Sequence, residues 1–181
     1  MTEGTSSQPT KVIYLLTTGG TIEKVYSERS GSVANVDAKI GRYLHFLRLP
    51  DLDLHIVPLM NKDSLEMTDA DRQLILGIVA GILKEHAPIV ITHGTDTMVE
   101  TGLHLHRNLA EIQVPIVLTG AMIPLGFEGS DGLQNLTESL FAAQLLPPGI
   151  YVVTHGTAIP IYRARKDRAL GRFVWTSERV M

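Results

Sequence analysis

Four nearly uninterrupted apolar runs close on Thr, Gly and small polar residues. They are Val12–Thr21 (VIYLLTTGGT), Ile89–Thr97 (IVITHGTDT), Ile116–Met122 (IVLTGAM) and Tyr151–Thr157 (YVVTHGT). Apolar runs without alternation, stopped by Gly-rich turns, predict strands of a parallel sheet covered on both faces. Strands are expected over Lys11–Thr17, Leu52–Pro58, Ile89–Thr92, Pro115–Thr119 and Ile150–Thr154. Between them the apolar period changes to that of a helix. Val36, Ile40, Tyr43, Leu44 and Leu47 predict a first helix, and Leu74, Ile75, Ile78, Val79 and Ile82 the buried stripe of a long one over Asp69–His86, with Thr68 and Asp71 as its capping pair. Further helices are expected over Met98–Leu109 and Leu133–Leu146. Strand–helix alternation implies right-handed crossovers and an α/β fold: a doubly wound, mostly parallel sheet flanked by helices in three layers. Ligands of such sheets bind in the crevice at the strand carboxyl ends.

Composition narrows this picture. At 181 residues and 44% hydrophobic content, the chain is long enough for one well-buried core. The expectation is a disordered polar tail over residues 1–10 that is not a signal peptide, then one domain over 11–181 with no C-terminal domain after it. A net charge of −3 with interspersed signs gives no footprint for nucleic acid, and no run approaches the ~20 apolar residues of a membrane span. A cytoplasmic protein is expected. The absence of cysteine excludes disulfides, zinc–thiolate sites and cysteine nucleophiles. The basic stretch Arg163–Arg172 (RARKDRALGR) reads as a solvated tail or hairpin rather than an anion site.

The strand ends carry the candidate chemistry. Thr21 follows Thr-Thr-Gly-Gly directly after the first strand, where glycines let the backbone turn sharply and present a hydroxyl beside unpaired N–H groups. The fingerprints of dinucleotide and P-loop sites are both missing from this turn. Thr95 and Asp96 end the third strand; Asp96 can orient a base, hold a substrate ammonium or cap the helix that starts near Met98, a task Thr97 could also perform. Lys166 follows the last strand, and a lysine screened from water can take a proton from a threonine. His104 and His106 stand two apart on a helix, a poor metal pair, whereas His93 and His155 at strand ends suit hydrogen bonds to neighbouring loops better than a role as base. The polar segment Ile22–Asn35, with Gly31 in it, is expected to be a mobile loop or hairpin that closes over a ligand.

Together these motifs resemble the asparaginase/glutaminase-like family. Thr18–Ile22 (TGGTI) looks like its first signature, His93–Thr97 (HGTDT) like its second, and Gly120-Ala-Met with Asp131-Gly132 and Asn135-Leu136 like its next block. The resemblance implies Thr21 as nucleophile, a Thr95–Asp96–Lys166 triad, Tyr26 as a lid tyrosine, and Gly20, Asp63, Ser64, Thr95, Asp96 and Ala121 around the substrate, with Ser64 on its α-carboxylate. It implies hydrolysis of L-asparagine to L-aspartate and ammonia through a threonine acyl-enzyme, with no cofactor and no metal. Alternatives are a glutaminase, the ammonia-producing part of an amidotransferase, or a non-catalytic amino-acid sensor. Common members carry a second domain that helps complete a neighbouring subunit's site. This chain is therefore expected to pair with itself as a dimer or tetramer, through an apolar patch of Phe173, Val174 and Trp175.

Overall fold

Chain order and strand order diverge at one place, and that place positions the site. The computed structural model describes residues 10–27, 31–35 and 40–180. Its main sheet has six strands in the order β4-β1-β5-β6-β7-β8. These are β1 (Lys11–Gly19), β4 (Leu52–Lys62), β5 (Ile89–Thr92), β6 (Pro115–Thr119), β7 (Gly149–Thr154) and β8 (Thr157–Pro160). All neighbours are parallel except β8, which turns back antiparallel on β7. The chain leaves β1 for β4 on one side and returns past it to β5 on the other. The carboxyl ends of β1 and β5 therefore flank a topological switch point, where a crevice opens in such sheets.

Helices cover both faces, as the uniformly apolar strands require. Leu16, Ile91, Leu118 and Val152 face α2 (Asp69–Ile82) and α3 (Met98–Asn108) in one core. Leu15, Val90, Val117 and Val153 face α4 (Gly132–Ala142) and Ile40 of α1 (Ile40–Leu44) in the other. The predicted capping box opens α2: the Thr68 hydroxyl accepts from the Asp71 N–H, and the Asp71 carboxylate accepts from the Thr68 N–H. Register places Thr17, Thr92 and Thr119 in one row across β1, β5 and β6, at the level where the apolar runs end.

Boundaries shift where local signals mislead. β4 runs on past Pro58 to Lys62 because it is an edge strand, and an edge tolerates a residue without an N–H. The long helix gives way at Leu83 to a single 3₁₀ turn that His86 closes with a left-handed φ of 53°. α4 stops at Ala142, short of the predicted Leu146, which precedes Pro147 and is disfavoured as helix. α1 is confined to Ile40–Leu44; Leu47 follows in a turn and still packs on the same core. Val36, expected to begin that helix, and residues 1–9 of the expected tail lie outside the described residues. Ile22–Asn35 contains a two-stranded hairpin, β2 (Val25–Ser27) with β3 (Ser32–Ala34), and Arg163–Arg172 contributes to a second, β9 (Ala164–Asp167) with β10 (Arg172–Trp175). The expected apolar patch does not form as a unit there, because Phe173 is buried in the core while Trp175 stays exposed.

Candidate active site

Three turns stack at the switch point, and missing side chains let them. Gly19 and Gly20 leave β1 with φ values of 92° and 79°. A Cβ on Gly20 would lie 2.3 Å from the Gly94 nitrogen, and one on Gly94 would lie 2.4 Å from the Ser64 hydroxyl. The turns after β1, β5 and β4, which carry Thr21, Thr95 and Ser64, are thus in direct contact. Thr21 opens a 3₁₀ turn over Thr21–Glu23 and is partly exposed, while Ile22 beside it is fully buried against Ala121 and Leu125.

The β9–β10 hairpin delivers the lysine. Lys166 pairs across the hairpin with Phe173, whose ring is anchored in the core. Lys166 Nζ donates to Thr95 Oγ1 at 2.7 Å and to Asp96 Oδ1 at 3.0 Å. Thr95 is buried, and the Lys166 side chain is only 18% exposed. A hydroxyl, an ammonium and a carboxylate therefore meet across about seventy residues of sequence, an arrangement suited to moving a proton at Thr95 Oγ1. Neither Asp96 nor Thr97 caps α3 with its side chain; the Thr97 hydroxyl donates to the Ser64 carbonyl instead and ties two of the turns together.

The remaining candidates fall into two groups. Ser64 is buried at the contact with Gly94, and Gly20 is buried against the other side of the same turn. Asp63 is engaged within the protein: one oxygen receives Lys24 Nζ and the other the Leu65 N–H, and the Lys24 contact holds its carboxyl below the usual range. Ala121 is wholly buried against Ile22, so its methyl group packs rather than lining open space. Tyr26 lies on β2 opposite Val33 and is 58% exposed.

Other residues organise the site, and of these only Asn35 and Glu23 lack a sequence signal of their own. Asn35 Nδ2 donates to the Gly20 carbonyl and to Asn61 Oδ1, both at 2.9 Å, and so clamps the turn that carries Thr21 to the end of β4. Asp131 receives the Met122 and Ile123 N–H groups, Asn135 Nδ2 and His155 Nε2. Burial opposes its ionisation, yet these N–H groups and the imidazole hold its carboxyl below the usual range. Asn135 adds a bond to the Gly120 carbonyl and accepts the His155 N–H, so the loops after β6 and β7 are fixed together. His93 is fully buried between the Gly94 carbonyl and the Thr101 hydroxyl, and burial pushes its imidazole down to about 4. Both histidines at strand ends thus bond to neighbouring groups, as expected. Glu23, two residues past Thr21, is 1% exposed, and among the described residues neither carboxyl oxygen has a hydrogen-bond partner of good geometry. Burial pushes it up to about 7, and the nearby Gly19 N–H offsets only part of that. Among the described residues no group of three His, Asp or Glu side chains is placed to hold a metal ion, and no helix is long and apolar enough to cross a membrane.

Fold and contacts define an α/β protein in which a threonine, a lysine and an aspartate meet beside the strand ends. The family profile described as Asparaginase, N-terminal, matches residues 12–178, and the chain belongs to the asparaginase family. It is similar to L-asparaginase 1 of Escherichia coli, 36% identical over 143 residues, 76% of this chain and 41% of that one. Its fold is similar to the thermostable L-asparaginase of Thermococcus kodakarensis, with a TM-score of 0.82, 31% identity, and coverage of 91% of this chain and 51% of that one. It is also 32% identical over 163 residues to a glutamyl-tRNA(Gln) amidotransferase component of Methanococcus vannielii, 81% of this chain and 34% of that one. The chain spans about half or less of the length of these relatives.

Proposed function

We propose that this chain carries an amide-hydrolysing site of L-asparaginase type, and the contact of Lys166 with both Thr95 and Asp96 is the observation that carries the reading. Thr21 Oγ attacks the side-chain carbonyl carbon of asparagine, the C–N bond breaks, and ammonia leaves with the added proton. Water then cleaves the β-aspartyl ester and restores the Thr21 hydroxyl. Thr95, polarised by Lys166 and Asp96, moves the proton for the attacking hydroxyl or the attacking water. Backbone N–H groups of the Gly-rich turns stabilise the developing oxyanion. Ser64, buried against Gly94, takes the substrate carboxylate. Tyr26, on the hairpin after Thr21, closes over the bound substrate. No cofactor takes part.

Similarity to an amidotransferase component favours a second reading, in which the same chemistry releases ammonia for a partner. Ammonia release from asparagine and glutamine by the purified chain tests both. Release that Thr21→Ala lowers by at least about three orders of magnitude, in a variant that still unfolds cooperatively, is the expected outcome. A Thr21→Ala protein that keeps a tenth of the rate would end the nucleophile assignment.

A further inference from the structure

A second recess lies beside α3 and shares no residue with the turns that carry Thr21, Thr95 and Ser64. It encloses about 530 Å³ and is lined by Leu103, His106 and Arg107 of α3, by Tyr162, and by Arg179 and Val180 after β10. That volume falls within the roughly 300–1,000 Å³ of pockets that hold small molecules. Its floor is apolar: Leu103 is only 6% exposed, and Tyr162 and Val180 pack against the larger core. The Val180 N–H donates to the Tyr162 carbonyl at 2.8 Å, so two of its walls are tied together. Its rim is cationic. The Arg179 guanidinium lies over the Tyr162 ring, 5.1 Å from the centroid, and the His106 ring lies 5.9 Å from the same ring at 34°. Lys24, Lys62, Arg72 and Lys166 each have a carboxylate of their own. Among the described residues Arg107 and Arg179 have none, and Glu178, next to Arg179 in sequence, does not line the recess. In a chain of net charge −3, two unpaired arginines at one apolar recess reverse the sign locally.

We propose that this recess binds an arylalkanoate, a carboxylate carried on a short chain from an aromatic ring. Guanidinium groups present forked donors that match a carboxylate with two parallel bonds. The floor of Leu103 and Val180 takes the ring out of water. Tyr162, His106 and the Arg179 guanidinium offer planes and edges against which that ring can stack. Neither half of the ligand suffices alone. A bare anion leaves the apolar floor unfilled, and a neutral ring leaves both arginines without a counter-charge. Because Arg107 stands on α3 and Arg179 on the segment after β10, a carboxylate held by both bridges the two elements.

The probe is phenylacetate, followed by heteronuclear NMR on the full chain. A ligand of about ten heavy atoms should bind with a Kd of about 1 mM or below. The expected result is saturable shifts of the Leu103, Tyr162 and Val180 amides. Phenylacetamide has the same shape without the charge, and acetate has the charge without the ring. Each should bind more weakly than phenylacetate by about fivefold or more. Arg107→Gln and Arg179→Gln, both at exposed positions, should each weaken phenylacetate by about threefold to fivefold, and Arg107→Gln should leave phenylacetamide unchanged. Phenylacetate that binds no tighter than phenylacetamide, shifts that map outside the recess, or an affinity that neither arginine variant changes would overturn the assignment. Ammonia release has no part in this test, so loss of the amide-hydrolase reading would leave the recess and its ligand standing.

Discussion

The two sides of the crevice are built differently. On the β5 side, Thr95 is buried and joined by Lys166, which also reaches Asp96, and the hairpin that brings Lys166 is anchored in the core by Phe173. On the β1 side, Thr21 sits after two positive-φ glycines, in a turn held by Asn35 on the Gly20 carbonyl and followed by the buried Glu23 carboxyl, which has no well-formed hydrogen bond among the described residues. The β5 side is completed by direct side-chain bonds within the chain. The β1 side is set by backbone shape, a side-chain amide clamp and a buried acid only partly offset by the Gly19 N–H. Preorganised polar groups keep their geometry without ligand, whereas a turn balanced on few bonds is free to change on binding or with pH.

Lys166 is the strongest lever on the well-tied side. With Lys166→Met, kcat for ammonia release is expected to fall by roughly 10²–10⁴-fold, the usual weight of a proton-transfer group, with little change in KM. Lys166→Arg should not restore it, because a guanidinium stays protonated at any working pH. Near wild-type turnover by Lys166→Arg would reduce Lys166 to a source of charge and remove the proton relay through Thr95.

How the two sides read in sequence follows from this difference. The strands β1, β5, β6 and β7 are visible because burial on both faces makes them nearly uniformly apolar, and β5 and β6 match their predicted bounds. Thr95, Asp96 and Gly20 are visible for the same reason: they follow directly where an apolar run stops. The strand that carries Lys166 is ARKD, half-exposed and charged, so no local pattern separates it from a solvated hairpin. Its register with Phe173 is a tertiary fact. The roles of Asn35 and Glu23 depend on surroundings that no spacing in the chain announces. Asp63 and Ala121 follow strand ends as well, where Asp63 receives Lys24 and Ala121 packs on Ile22.

Glu23 offers an intermediate effect on the β1 side. Its carboxyl titrates near 7 in the folded chain against an ordinary 4.5. Below 4.5 both folded and unfolded forms hold the proton. As pH rises from 4.5 to 7 the unfolded form loses it first, so stability falls across that window and levels off above it. Glu23→Gln removes this titration. Relative to wild type it should therefore be more stable at pH 8 than at pH 4 by about 3 kcal/mol, read by urea unfolding at both values. His93, pushed down to about 4, works in the opposite direction: stability is lost as pH falls from about 6.5 to 4, in both proteins alike. A Glu23→Gln difference that does not change between pH 4 and 8 would mean the carboxyl is solvated or paired in solution.

The smallest expected effect concerns the clamp. Asn35 Nδ2 bonds both the Gly20 carbonyl and Asn61 Oδ1, so Asn35→Ala removes two neutral hydrogen bonds, roughly 1–2 kcal/mol in all. The Gly20 N–H still donates to the Lys62 carbonyl at 2.8 Å, so the turn should survive while its aim loosens. The expected signature is a several-fold loss of kcat, unlike the far larger loss at Lys166, and a small drop in the urea midpoint. Asn35→Asp separates donation from shape: it keeps the side chain's size but offers no N–H to Gly20, and should lose as much. Turnover within twofold of wild type in both variants would show that pairing of β1 with β4 alone aims Thr21. The contrast between the two sides of the crevice would then rest on Glu23 alone.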